Sequence, residues 1–372
     1  MARNYASRRR RGALGARCLS ALCVSALRLS ALAVSQAGCG TLADTGGGDR
    51  DAAHAAAGPF RELRREELKN DRVAPYALRN SAAFSRDVSV VDRDGDPRTL
   101  PVAAYAAESH VIGADEPDPL APTTAIVRYL AEDGRSFSRL GEVVLAADAS
   151  LGQAWIAQPS LVRVGAEWRL YYATGAGIAL ATSDDGVAFA RAAGPPVLGI
   201  SEAGWDEGMV PSSPSVVALA DGALHLFYEA AHQGTTAIGE ARSDDGLSWR
   251  RTPAPALAPG GATWDERGVG APFAVLSTSA LGRELEWLYH HALASDGRRT
   301  IAVAARPLGD DAFDRAPSPV FGTLGSLSPT EPCVVRFDGF SLLFVTERAG
   351  KTSVLDYPAV AVGVAPATVS LP

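Results

Sequence analysis

Two carboxylates of this chain could perform acid–base chemistry together because of the positions they occupy in a repeated motif. Asp87 and Glu331 stand at the start of equivalent strands in the first and last of several related units. If both side chains point into one central funnel, one can act as general base and the other as general acid, the minimum apparatus for hydrolysing a glycosidic bond. The same two residues could instead cap a loop or hold an axial ion, and the sequence leaves that alternative open.

The repeat is marked most clearly by an Asp/Gly turn that is followed by an aromatic residue. Ser-Asp-Asp-Gly-Val-Ala-Phe occupies residues 183–189, Ser-Asp-Asp-Gly-Leu-Ser-Trp occupies residues 243–249, and looser copies lie at 131–137 and 309–313. A period of about 50 to 65 residues indicates one supersecondary unit used repeatedly. An Asp/Gly turn that feeds an aromatic residue is typical of a tight turn between strands.

Each unit contains the pattern of four antiparallel strands. A strand with proline near its start is followed by a second, aromatic-rich strand, then by a third strand that runs into the Asp/Gly turn and a fourth that leaves it. Four such strands form a propeller blade. With a divergent first unit that begins near Arg86 and has a second strand around residues 100–105, the sequence predicts an all-β, five-bladed β-propeller.

Strand direction predicts which face of the propeller carries chemistry. The first-strand starts, the second-strand ends and the linkers between blades should share one face, here called the upper face. The Asp/Gly turns should lie on the opposite face, where their acids accept local backbone hydrogen bonds. Because first strands line the axis, the residues that begin them should point at the central funnel; these are Asp87, Gln158, Ser213, Ala271 and Glu331.

Further candidates for binding or catalysis lie on the same upper face. The linkers carry three indole rings that could stack on sugar faces, although a Trp that recurs once per blade also suits packing between blades. His290 and His291 are adjacent on a predicted strand, so they should point to opposite faces and make a poor metal pair. The linker candidates are Trp155, Trp205, Asp206, Trp264, Asp265 and Arg267, and those at second-strand ends are Glu229, His232, His290 and Glu347.

The N-terminal region reads as an export signal. Residues 1–38 combine a basic start with a mostly apolar run, and residues 36–39 (Gln-Ala-Gly-Cys) resemble a lipobox that would place a lipid on Cys39. A plain secretory signal is the alternative. Residues 39–58, rich in Gly, Ala and Asp, are predicted to be a flexible tether, and residues 59–372 the propeller. We therefore expect a bacterial outer-membrane or cell-surface lipoprotein, or otherwise a periplasmic or secreted protein.

Charge and composition exclude several classes of partner. Removal of the seven arginines in residues 1–38 leaves 28 basic residues against 42 acidic ones, a formal charge of −14 that repels phosphate backbones and disfavours nucleic acid. No other apolar run is long enough to span a bilayer, so membrane contact is expected only through the lipid anchor. The one predicted helix covers residues 59–69 and either packs on the propeller's flank or is a solvated linker.

The combined pattern resembles a known group of enzymes. Trp205-Asp206, the Ser-Pro-Ser-Val-Val segment at 213–217 and the turn at 243–249 look like the five-bladed propeller glycosidases, especially glycoside hydrolase family 43 and its relatives in families 32 and 130. The resemblance covers most of residues 85–357. It implies an inverting mechanism on arabinosides or xylosides, with polysaccharide or oligosaccharide as partner. It also implies an axial ion, calcium for example, which many relatives hold, although no ligand set in this sequence identifies one.

The catalytic positions of that family are only partly matched. Asp87 stands at the position of the general base, although Val88 replaces the usual proline, while Ser213 and Ala271 stand where further carboxylates are expected. Glu331 is followed by proline, as the general acid of that family is, but it lies one blade late. Asp206 or Asp265 could therefore take its place as the acid. Two hypotheses follow: an exported glycosidase, or a catalytically inactive, lipid-anchored propeller that binds a glycan or a protein.

Overall fold

The computed structural model describes residues 60–62, 85–93, 101–108, 122–132, 137, 141–232, 234–278, 282–322, 327–337, 340–349 and 356–366. The predicted export signal, the tether and Cys39 lie outside these residues. Among the described residues, no helix is both long and apolar enough to cross a membrane.

The described strands form five antiparallel blades, which confirms the predicted propeller. The first two blades contain β2 Ser85–Asp92, β3 Val102–Glu108, β4 Ala125–Ala131 and β5 Glu142–Ala146, then β6 Ala157–Val164, β7 Glu167–Thr174, β8 Gly177–Ser183, β9 Ala190–Arg191 and β10 Leu198–Gly199. The third and fourth contain β11 Ser212–Ala218, β12 Leu224–His232, β13 Thr235–Ser243 and β14 Arg250–Arg251, then β15 Gly268–Thr278, β16 Glu284–Leu293, β17 Arg299–Pro307 and β18 Asp314–Arg315.

The fifth blade is completed by the N-terminal end of the described chain. Its strands are β19 Leu327–Phe337, β20 Phe340–Ala349, β21 Asp356–Pro366 and β1 Arg61–Glu62. The helix predicted over residues 59–69 is therefore wrong for its described part, because Arg61 and Glu62 pair antiparallel with Val364 and Gly363. An unpaired outer edge on the last blade supplies backbone partners that only an extended segment can satisfy.

Phe60 anchors this closing segment. Its N–H donates to the carbonyl of Val320 at 2.8 Å, and its buried ring meets Tyr289 edge-on with 6.2 Å between centroids. The contact joins the N-terminal segment to the fourth blade as well as to the fifth. Five apolar clusters complete the packing, one between each pair of neighbouring blades.

Side chains near the start of the inner strands also join neighbouring blades by hydrogen bonds. In the first three blades a serine hydroxyl accepts an N–H from the next inner strand, at 2.8 to 3.1 Å: Ser89 from Leu161, Ser160 from Val216, and Ser215 from Ala274. Buried Cys333 closes the ring, because its Sγ accepts the N–H of Val90 at 3.2 Å. Burial raises the pKa of Cys333 to about 12, which keeps the thiol protonated and unreactive.

The Asp/Gly turns lie at the end of the blade opposite the inner-strand starts, as predicted. In the second blade Ser183 pairs with Trp168, whereas Ala157 pairs with Ala173 at the other end of the same sheet. The acids bond locally: Asp245 Oδ1 accepts the N–H groups of Leu247 and Ser248, both at 2.8 Å. The turns also dock on the preceding blade, since the Tyr171 hydroxyl donates to the carbonyl of Gly246 at 3.1 Å.

We expect the Asp/Gly turns to stabilise the folded protein at neutral pH and to lose this effect at low pH. Hydrogen bonds from the backbone of Ser248 and Leu247 lower the pKa of Asp245 from 3.8 to about 2. Because the folded pKa lies below the unfolded one, the contribution is complete above about pH 4 and is lost as pH falls through the folded pKa. We expect Asp245→Ala to melt at a lower temperature than wild type at pH 7, with the difference shrinking as pH falls from 4 to 2.

Thermal melts of both proteins across this pH range check the expectation. Asp244→Ala is the matched control, since Asp244 makes only an exposed ion pair with Arg250 at 3.3 Å and should change the melting temperature little. A melting-temperature difference for Asp245→Ala that stays constant down to pH 2 would contradict the assigned role of the carboxylate.

Candidate functional site

Five residues near the starts of the inner strands share one unusual backbone conformation. Each lies at a β-bulge and each has a positive φ, between 44° and 55°; they are Asp87, Gln158, Ser213, Ala271 and Glu331. No other non-glycine residue of the described chain has a positive φ. Such left-handed conformations cost energy in residues with a Cβ and collect at functional sites. The repeat therefore imposes this strain on all five blades at the place where the inner strands meet.

These five residues line one cavity on the upper face, as the sequence predicted. The cavity encloses about 370 Å³ including its open mouth, and its remaining lining comes from the residues that follow them, chiefly Pro159, Pro214, Pro272 and Pro332. The proline and valine side chains give the walls an apolar character below the polar groups. Two carboxylates, one amide, one hydroxyl and one methyl group thus face a small funnel.

The two carboxylates of the funnel lie on neighbouring inner strands. Asp87 is 7 % exposed, and its N–H donates to Thr346 Oγ1 of the fifth blade at 3.1 Å. Glu331 is partly buried and is the fifth residue of β19, the strand whose Cys333 bonds to Val90. Gln158 supports the next position round the ring, because its Oε1 accepts the N–H of Ser213 at 2.9 Å. The structure therefore brings Asp87 and Glu331 to one side of the funnel.

The linker acids lie in buried ion pairs instead. Asp206 Oδ2 accepts from the Tyr228 hydroxyl at 2.9 Å and from Arg251 Nε at 3.1 Å. Asp265 Oδ2 accepts from Arg315 at 3.0 Å and from the N–H of Gly260 at 2.9 Å. Both carboxylates are 1 % exposed, and the cavity lining does not include them. Their contacts favour a structural role.

In three blades a linker side chain accepts a hydrogen bond from an arginine of the outer strand, a regularity that the sequence interpretation missed. In the second blade Gln153 takes the place of the acid, and its Oε1 accepts from Arg191 Nε at 3.0 Å and from the Tyr172 hydroxyl at 3.1 Å. Each arginine is the second residue of a two-residue outer strand, β9, β14 or β18, and each also donates to a backbone carbonyl of the preceding blade or linker, that of Ala146, Gly199 or Ala258. An Arg two residues after the aromatic residue that follows each of these turns was the available signal.

Loss of the Asp265 charge should affect folding and not turnover. We expect Asp265→Asn to lower the free energy of unfolding by about 2 kcal/mol, less than a fully buried pair would, because Arg315 keeps 27 % of its side chain exposed. Urea unfolding measures this cost, and kcat assayed well below the melting temperature should equal that of wild type. A large fall in kcat with unchanged stability would instead make Asp265 part of the reacting site.

The indole rings of the linkers are half-buried. Trp205 stacks on Tyr228 with 6.1 Å between ring centroids and packs in the cluster between the second and third blades. Trp155 lies beside Gly175, which has no side chain to keep the ring away. Trp264 is also half-buried, whereas Arg267 is exposed and its N–H donates to the carbonyl of Leu293. Trp205 thus packs between blades, which was the alternative to stacking on a sugar.

Glu229, a predicted candidate, and His291 both contact a neighbouring inner strand beside the cavity, although neither belongs to the cavity lining. His290 is 1 % exposed, its Nδ1 lies 3.2 Å from the carbonyl oxygen of Leu288, and burial lowers its pKa to about 4. Its neighbour His291 points the other way, with Nδ1 2.8 Å from Thr330 Oγ1. Glu229 Oε2 accepts the N–H of Ala271 at 2.8 Å. The side chains of His232 and Glu347 lie outside the described part of the molecule.

The described residues do not assemble an acidic cluster at the funnel. Among them, no group of three or more His, Cys, Asp or Glu side chains could hold a metal ion. Asp87 and Glu331 are the two acidic members of the cavity lining, which also includes Gln158, three serines and four prolines. Calcium prefers six to eight oxygen ligands. No step proposed for this chain depends on an ion.

Comparison with known proteins agrees on the fold. No protein-family profile matches the sequence, and no curated protein matches it significantly. Among solved structures, a thermostable family-43 glycoside hydrolase has a TM-score of 0.56 at 15% identity, covering 78% of this chain and 91% of its own. An endo-arabinase from Bacteroides thetaiotaomicron gives 0.54 at 13% identity, covering 81% and 98%. A family-130 enzyme, described with glycoside hydrolases that target β-1,2 mannosidic linkages in Candida mannan, gives 0.56 at 12% identity, covering 82% and 93%.

Proposed function

We propose that this chain is an exported, glycosidase-like propeller that hydrolyses glycosidic bonds of a polysaccharide or oligosaccharide by inverting acid–base catalysis. The observation that carries the proposal is the pair of funnel carboxylates, Asp87 and Glu331, each held in a strained left-handed conformation at a common cavity. Solved glycoside hydrolases share the fold of this chain. Fold likeness alone does not assign chemistry, so the site has to support it.

Asp87 suits the role of general base. Its position in the first blade is that of the base in the family the sequence resembles, and the Thr346 hydroxyl holds its backbone. A carboxylate that faces an open funnel can take a proton from water while the water oxygen attacks the anomeric carbon. In an inverting enzyme the second carboxyl group stands about 6.5–9.5 Å away and protonates the leaving oxygen.

A second function is favoured by one specific observation. Ala271 and Ser213 occupy two of the five funnel positions and bring no ionisable group there. A funnel that has lost carboxylates could bind a glycan without cutting it. The catalytically inactive, lipid-anchored binding propeller is therefore the alternative.

One experiment separates the two functions. The purified protein is incubated with aryl glycosides and with arabinan, xylan and mannan oligosaccharides, and released sugar is measured. Turnover of any member of the panel supports the glycosidase function. An initial product whose anomeric configuration is opposite to that of the substrate shows inversion. An absence of turnover across the panel, with retention on a glycan array, would establish the binding protein.

The lipid anchor belongs to the same proposal. Export followed by lipidation at Cys39 would place the funnel outside the cytoplasm, where polysaccharide substrates are met. Metabolic labelling with a radioactive fatty acid tests the anchor, since Cys39→Ser should abolish the label. Labelling that persists in this variant would show that Cys39 does not carry the lipid.

A further inference from the structure

The fourth funnel position lacks a chemical group of its own but receives one from the preceding blade. Ala271 is the fourth residue of the inner strand β15, and its N–H donates to Glu229 Oε2 at 2.8 Å. Glu229 lies on β12, two residues beyond Phe227, which pairs with Ser215. The carboxylate therefore reaches across the interface between blades three and four to the backbone of a residue that lines the cavity.

The equivalent position of every blade shows that this reach is a regular feature of the fold. Each lies two residues beyond the second-strand residue that pairs with the end of the bulge; the five are Ala107, Ala173, Glu229, His291 and Thr346. Three of them touch the start of the next inner strand, through Ala271 N, Thr330 Oγ1 and Asp87 N. Thr346 holds this position between blades five and one, where it supports Asp87, and His291 holds it between blades four and five. Between blades three and four the same position is held by the carboxylate of Glu229.

Gly270 makes the space in which Glu229 and His291 meet. A Cβ at Gly270 would collide with Glu229 Oε2 and would stand 3.0 Å from His291 Nε2. The other blades have Arg86, Ala157, Ser212 and Thr330 at this place. Gly270 does not have a positive φ, so the backbone conformation does not demand glycine. Its missing side chain admits a carboxylate and an imidazole to the same small volume.

We propose that Glu229 is the proton donor of this site, with His291 as the positioning residue that orients its carboxyl group. The inference rests on the proposed glycosidase function. Glu229 is partly exposed and accepts a hydrogen bond from the backbone of Ala271, a residue of the cavity lining, whereas Asp206 and Asp265 are buried against arginines. His291 is itself held by Thr330, and its Nε2 and Glu229 Oε2 both lie beside Gly270.

The ring geometry favours Glu229 over Glu331 for this role. Glu331 lies on the blade next to Asp87, whereas Ala271 lies on the fourth blade, with the fifth between it and the first. An inverting pair needs room for both the sugar and the attacking water between its carboxyl groups. Asp87 takes a proton from water as the water oxygen bonds to the anomeric carbon. The glycosidic carbon–oxygen bond breaks, and the leaving oxygen takes the proton of Glu229; solvent then resets both groups.

Leaving-group dependence tests the assignment. Glu229→Gln is assayed on the unsubstituted phenyl glycoside and the 2,4-dinitrophenyl glycoside of the sugar that wild type hydrolyses. Phenolate needs a proton to leave and dinitrophenolate does not. We expect kcat/KM to fall by about 10²–10⁴-fold on the phenyl glycoside and by less than about 10-fold on the dinitrophenyl glycoside. His291→Gln should reduce kcat on the phenyl glycoside and shift the alkaline limb of its pH profile.

The controls separate this inference from the proposed function. Glu202→Gln, at an exposed linker position, should match wild type on both substrates. Equal losses on both substrates, no loss on either, or the leaving-group pattern in Glu331→Gln and not in Glu229→Gln would each overturn the assignment to Glu229 alone. Failure of wild type on both substrates would overturn the glycosidase function and this inference with it. If Glu229→Gln does not fold, Glu229→Asp gives the same comparison with the charge retained.

Discussion

Replacement of Asp87 by Asn is expected to reduce kcat by about 10²–10⁴-fold, the usual contribution of a general base, while leaving the fold intact. The substitution removes the basic oxygen without changing the size of the side chain. Asn also tolerates a positive φ better than most residues, so the φ of 55° at this position can be kept. Steady-state kinetics on the substrate found in the panel, with thermal melts of both proteins, measure the two effects separately.

The base should be needed for every substrate, unlike the proton donor. Asp87→Asn is therefore expected to lose activity equally on phenyl and dinitrophenyl glycosides. Asp184→Asn, an exposed acid in an Asp/Gly turn on the opposite face, is the matched control and should retain wild-type kinetics. Near-normal turnover by Asp87→Asn would show that another group activates the water.

The second large effect concerns a buried charge cluster between the third and fourth blades. Arg306, with 1 % of its side chain exposed, donates to Glu286 Oε2 at 2.6 and 2.8 Å and lies 2.9 Å from Glu240 Oε2. His225 Nδ1 stands 3.1 Å from Glu286 Oε1. The guanidinium also covers the ring of Phe313, with 4.2 Å to its centroid. One cation therefore serves two carboxylates that water does not reach.

Arg306→Met should lower the free energy of unfolding by about 3–5 kcal/mol, because it leaves Glu240 and Glu286 buried beside each other without their shared cation. Chemical denaturation measures the loss. Arg242→Met is the control: Arg242 binds Glu240 at 2.8 Å, but 39 % of its side chain is exposed, so we expect a cost of about 1 kcal/mol.

Removal of the stranded carboxylates tests the cause of that loss. Adding Glu240→Gln and Glu286→Gln to Arg306→Met should recover part of the stability, since neutral amides cost less to bury than unpaired charges. A triple variant less stable than Arg306→Met would show that lost packing, and not uncompensated charge, dominates. Arg306 covers both Phe313 and Phe227, so packing is the competing cause.

The misassigned helix shows where local pattern is insufficient. Apolar residues at 60, 63 and 68 fit helical spacing, but the described residues Arg61 and Glu62 extend along β21. Helical periodicity over a short segment is weaker than an open sheet edge that needs a partner. That edge exists only after the fifth blade has formed, so no local property of the N-terminal segment reveals it.

In the candidate site, too, some features follow from local sequence pattern and others only from tertiary packing. The alternation of a strand separates His290 from His291 in the sequence, but it does not tell which of them contacts the next inner strand; in the structure His291 makes that contact, through Thr330. The linker acids read as equally available in the sequence, yet Arg251 and Arg315 bind them from outer strands 45 and 50 residues away. Pairings over such separations depend on how blades pack.

The sequence by itself determined the repeat, the five blades and the positions that meet at the axis, because turn chemistry and strand alternation are local and recur in every unit. It also identified Asp87 and Glu331 as funnel residues, since strand order dictates which ends share a face. Only the tertiary structure decided that all five of these residues take a left-handed conformation, that the N-terminal segment closes the ring, and that Glu229 reaches Ala271. These features arise between blades, where distances depend on packing and not on the order of residues along the chain.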